Sequence, residues 1–131
     1  MSNQPNHDLE SRVVRCADVV LKRDGFVTYP TLFREMGLLA PGDLDAWRKG
    51  RIVNLERVVC TNLTKLARIQ TAVRRWAKNR DLTRARVGAP KGRRYSKSGQ
   101  PWVESEYATL YRATRSTRTE RSGTGDPEAR P

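Results

Sequence analysis

The chain has 131 residues and carries 26 Lys+Arg against 14 Asp+Glu, a formal charge of +12. That length suits one domain, or one domain and a tail. No apolar run approaches the ~20 residues of a membrane-spanning helix, and the opening Met1-Ser2-Asn3-Gln4 has neither a basic start nor a hydrophobic stretch, so a soluble, cytoplasmic chain without a secretory signal is expected.

Of the 26 Leu, Ile, Val and Phe residues, 23 lie in positions 1–82. The predicted organisation is therefore a single helical domain over 1–113 followed by a disordered tail over 114–131, where Ser, Thr, Arg and Gly dominate. The predicted fold class is all-α, with short helices packed on a long central one.

Helix one is expected over 8–24, where Leu9, Val13, Ala17, Val20 and Leu21 recur at helical spacing and Gly25 supplies a left-handed stop. A second helix fits 29–36, with Thr28 as N-cap, Pro30 in the first turn and Gly37 at its end. A third fits 41–49, from Pro41 to Gly50, with Leu44 and Trp47 facing inward. Residues 29–49 thus have a helix-turn-helix outline, although Asp43 and Asp45 stand where a recognition helix would meet phosphates. Three short helices packing a small core is the competing reading.

The longest helix is predicted over 53–79. Ile52, Leu55, Val59, Leu63, Leu66, Ile69, Val73 and Trp76 mark one face, and such a rod would be on the order of 40 Å long. Its other face turns basic along its length. Residues 83–100 read as a basic loop punctuated by Gly88, Pro90, Gly92 and Gly99, and a closing helix is predicted over 101–113 through Val103, Tyr107, Leu110 and Tyr111.

The charge is concentrated. Residues 65–97 hold twelve basic side chains and one acid, Asp81, which accounts for +11 of the +12. A block that repels itself in this way is best matched by a polyanion. The expected function is nucleic-acid binding, to DNA or RNA, through Lys65, Arg68, Arg75 and Lys78 on the helix and Arg93, Arg94, Tyr95 and Lys97 in the loop. The arginines would fork onto phosphates, and Tyr95 would either stack on an unpaired base or point into the core. An adaptor for an acidic protein partner is the alternative. A third reading is a metal-independent ribonuclease using Glu104 or Glu106 as base, although a place at a helix start explains both acids without catalysis.

Cys16 and Cys60 fall in apolar helical stretches and read as small buried hydrophobes in a reducing compartment, with a disulfide left open. His7 is the only histidine, so no ligand set or nucleophile–histidine pair is formed and neither metal nor cofactor is expected.

Two stretches, Trp47-Arg48-Lys49-Gly50-Arg51-Ile52-Val53-Asn54-Leu55-Glu56-Arg57-Val58 and Arg94-Tyr95-Ser96-Lys97-Ser98-Gly99-Gln100-Pro101 continuing to Glu104 and Tyr107-Ala108-Thr109, resemble a group of small bacterial proteins with no known activity. The resemblance implies a bacterial origin and an ordered unit over 94–109, and nothing chemical.

Overall fold

The structure, a computed structural model, describes residues 5–113. The tail expected over 114–131 lies outside the described residues. Helix α1 (Pro5–Asp24) ends at Gly25, whose φ of +85° turns the chain into strand β1 (Phe26–Thr28). Thr28 closes that strand and caps α2 (Tyr29–Glu35): its hydroxyl accepts from the Thr31 N–H, and the Thr31 hydroxyl accepts from the Thr28 N–H. Two otherwise orphaned donors are satisfied by this exchange. Helix α3 (Pro41–Arg48) begins at Pro41, with Leu44 and Trp47 buried on its inner face.

Both short helices of the helix-turn-helix outline therefore exist, but they dock on different neighbours. α2 rests on α1 and β1, whereas α3 rests on a 3₁₀ turn at Leu55–Val58. Asp45 at the exposed side of α3 pairs with Lys49 at 3.0 Å.

The predicted long central helix is not formed. The chain makes the 3₁₀ turn, then an extended stretch, and only then helix α4 (Leu63–Asn79). Two asparagines impose the interruption. Asn54 accepts from the Arg57 N–H at 2.9 Å, and Asn62 accepts from the Lys65 N–H at 2.8 Å, so each starts a new turn. Between them Cys60 donates its N–H to the Leu38 carbonyl at 2.7 Å. Leu55 and Val59 still reach the core from this irregular segment, but Leu63 does not and stays 63% exposed.

The fold is mixed α/β rather than all-α. The segment read as the start of a basic loop forms β2 (Thr83–Arg86), and the closing helix stops early as α5 (Pro101–Tyr107), giving way to β3 (Thr109–Arg112). Strand β3 lies between β1 and β2, antiparallel to both, with Val27 and Arg84 opposite Tyr111 from either side. Two waiting edges pair both sides of the β3 backbone, which a continued helix could not do. The core runs between α1, α4 and this sheet, through Val13, Val20, Ile69, Val73 and Trp76.

Candidate nucleic-acid interface

The turn that carries Arg93, Arg94, Tyr95 and Lys97 is tied to the protein by nearly everything it owns. Arg93 donates from Nε to the Gly50 carbonyl at 2.8 Å, a second bond runs from its Nη2 to the same oxygen, and Nη1 reaches the Gly92 carbonyl. The guanidinium thus latches the end of α3. Arg94 folds back over its own turn, donating from Nε to the Ser96 carbonyl at 2.9 Å. Its main chain bridges to Asn54, with the Arg94 N–H on the Val53 carbonyl and the Leu55 N–H on the Arg94 carbonyl.

Tyr95 is in the core, at 4% exposure, and presents no face to a base. Its ring centroid lies 5.1 Å from that of Trp47 and 6.0 Å, nearly parallel, from that of Tyr107, while its hydroxyl donates to the Val87 carbonyl at 2.8 Å. Burial first, and the Glu104 carboxylate second, push this phenol up to about 12. Lys97 uses its main-chain N–H on Glu56 Oε1 at 2.7 Å and leaves its side chain exposed.

Three carboxylates organise the surroundings. Glu104 accepts the N–H groups of Tyr95 and Ser96 and the Ser96 hydroxyl, at 2.6–2.9 Å. Glu56 takes the Lys97 N–H on one oxygen and the Tyr107 hydroxyl on the other at 2.6 Å. Glu106 receives a short bond from the Tyr29 hydroxyl and pairs with Arg74 at 3.3 Å. The acids considered as ribonuclease bases thus hold the turn at 95–96 and the α2–α4 junction. Consequently the two stretches 47–58 and 94–109 dock against each other as one unit.

The helix residues behave differently. Leu66, Ile69, Val73 and Trp76 bury one face of α4, and Lys65, Arg68, Arg75 and Lys78 are exposed on the other. Arg75 pairs with Glu10 at 2.7 Å, inside a groove between α1 and α4 that Arg68 also lines. Arg80 is held on Asp18 by two bonds, the shorter 2.7 Å, and the Trp76 indole N–H shares that carboxylate at 2.8 Å. Lys65, Arg68, Lys78, Arg84 and Arg86 enter none of the ion pairs of the described residues.

Where α4 ends and β2 begins, Arg74, Lys78 and Arg84 surround a cleft of about 350 Å³ with Tyr111 and Leu82 in its wall and Asp81 at its side. Burial is the largest influence on the Tyr111 phenol and raises its pKa, Glu106 adds to that, and Arg84 and Arg74 pull it down, so both guanidiniums act on the same ring. A second cleft of about 390 Å³ continues along the strand, lined by Arg84, Ala85, Arg86, Ser105 and Thr109. Arg84 and Arg86 alternate onto one face of β2, and Arg86 donates to the Ser105 hydroxyl at 3.2 Å.

Arg74, Arg84 and Arg86 were not among the residues singled out from the sequence. The only local signal for the last two was alternation in Thr83-Arg84-Ala85-Arg86, which is the pattern of a charged edge strand. Both cysteines are free; Cys60 is exposed rather than buried, because its segment is not helical, and burial pushes the half-buried Cys16 thiol up. No helix among the described residues is long and apolar enough to cross a membrane. No protein-family model, curated protein or solved structure matches the chain.

Proposed function

We propose that the protein binds nucleic acid through its phosphate backbone, using the exposed cations of α4 and the β2 edge rather than the turn at 93–97. One observation carries this reading. Residues 65–97 supply +11 of the net charge, and Lys65, Arg68, Lys78, Arg84 and Arg86 remain outside the ion pairs after the fold has used Arg74, Arg75 and Arg80 on acids. Cations in such excess over acids repel one another and lower the stability of the compact state, so they favour a polyanion that removes the repulsion. The arrangement offers phosphate contacts from rigid elements, which position a strand without reading its sequence.

The experiment is a titration of the protein into labelled single-stranded and duplex oligonucleotides of unrelated sequence. Binding at ~50 mM salt that weakens steeply by ~200 mM, with little dependence on sequence, is the expected result. Failure to bind either form at the low salt would leave an acidic protein as the partner of this surface.

A further inference from the structure

Trp102 is 74% exposed, whereas Trp47 and Trp76 are 3% and 2% exposed. It stands in the first turn of α5, after Pro101, and contributes nothing to the core. A large indole left in water forgoes the hydrophobic stabilisation that its burial would bring.

Its position gives the exposure a meaning. Residues three apart on a helix are neighbours on its surface, and the residue three beyond Trp102 is Ser105, whose hydroxyl receives Arg86. Ser105 also lines the cleft that Arg84 and Arg86 share. Arg84 in turn closes the neighbouring cleft with Arg74 and Lys78. Cationic side chains therefore line both clefts from the end of α4 along β2, and the exposed Trp102 stands one helical turn before Ser105 of the second cleft.

We infer that the two clefts form a site for single-stranded nucleic acid, with phosphates tracking Lys78, Arg84 and Arg86 and one unpaired base stacked on Trp102. The inference rests on the nucleic-acid reading above and narrows it to unpaired strands. A cationic track beside an aromatic face is what sequence-tolerant binding of single strands requires, since every base has a π-face to offer. In a duplex those faces are already stacked and hidden, so an exposed indole gains little from meeting one. An acidic protein that also offers an apolar contact to the indole is the competing occupant, and the experiment below separates the two.

Trp102 is also its own reporter, because the other two tryptophans are buried. The probe is an oligothymidylate of about 12 nucleotides, within the span such sites cover, compared with its duplex with oligoadenylate. The single strand should bind more tightly than the duplex and quench tryptophan emission. Trp102→Ala should abolish that quenching and weaken single-strand binding about tenfold, with duplex binding nearly unchanged, and Trp102→Phe should keep most of the affinity. If the single strand binds without changing emission, and Trp102→Ala binds as tightly as the unaltered chain, the inference is overturned while backbone binding stands. Preference for the duplex overturns it as well. If neither nucleic acid binds at low salt, both readings fall together and Trp102 belongs to a protein interface.

Discussion

Trp47 donates its indole N–H across 2.9 Å to the carbonyl of Arg94, a residue 47 positions further along the chain. That bond joins the inner face of α3 to the turn at 93–97 and sets the Trp47 ring against Tyr95. It explains why a tryptophan, rather than a leucine, suits the position. The ring fills the core and its one polar atom satisfies a carbonyl that otherwise has only the Leu55 N–H at 3.2 Å.

Trp47→Ala should cost about 3–5 kcal/mol, because it empties an aromatic site in the core and frees that carbonyl. Trp47→Phe keeps an aromatic ring and should cost less, about 1–2 kcal/mol, from the lost hydrogen bond together with the smaller ring. Denaturant unfolding of Trp47→Phe against the unaltered chain measures that smaller loss, and an unchanged midpoint would show that the bond to Arg94 contributes nothing.

Arg93 is predicted to matter for stability and not for binding. Arg93→Ala removes charge-assisted bonds to the Gly50 carbonyl, so a loss of about 1.5–3 kcal/mol is expected. Gly50 has φ +85°, and a Cβ there would lie 3.2 Å from Arg93 Nη2. Gly50→Ala should therefore cost about 1–2 kcal/mol for the left-handed conformation, with the crowding of Arg93 added to it. Oligonucleotide affinity of folded Arg93→Ala should equal that of the unaltered chain; a large drop would return this residue to the interface.

The sequence made the first half of the fold legible because its signals are local. Thr28, Gly25, Gly37 and Pro41 each mark an element boundary by their own chemistry, and α1, α2 and α3 follow from them. The break at 59–62 also had local markers in Asn54 and Asn62. They were masked by Leu55 and Val59, which fall at helical spacing yet reach the core from an irregular segment. The strands were not legible, for a different reason. Each is three or four residues long, and β3 owes its conformation to β1, whose Val27 pairs with Tyr111 far along the chain; no periodicity in a short window carries that information. The same limit applies to the candidate site. The excess of positive charge could be counted, but Glu10, Asp18 and Glu106 had to be brought to α4 before it was evident which cations they neutralise.

Alkaline pH should unfold the protein through its tyrosines. Tyr29 is raised chiefly by burial and then by Glu106, Tyr107 by burial and then by its bond to Glu56, and Tyr95 by burial to about 12. In the unfolded chain these phenols ionise near pH 10. The folded state keeps its protons where the unfolded state loses them, so stability from these groups is complete below about pH 10 and is lost as pH rises toward and beyond 12. Tyrosinate absorbance and unfolding followed together should show ionisation of the buried set only as the fold is lost. Ionisation of all tyrosines near pH 10 with the fold intact would place these rings in water.

The central claim, that phosphates meet Lys78, Arg84 and Arg86, is tested most directly by the salt dependence of binding. Each phosphate contact contributes about 0.7 to the slope of log K against log salt for a single strand, or about 0.9 for duplex DNA. The triple variant Lys78→Ala, Arg84→Ala, Arg86→Ala should therefore shallow the single-strand slope by about 2, with weaker binding to every sequence alike. A triple variant whose slope and affinity match those of the unaltered chain would contradict the account and put the phosphate contacts elsewhere on the protein.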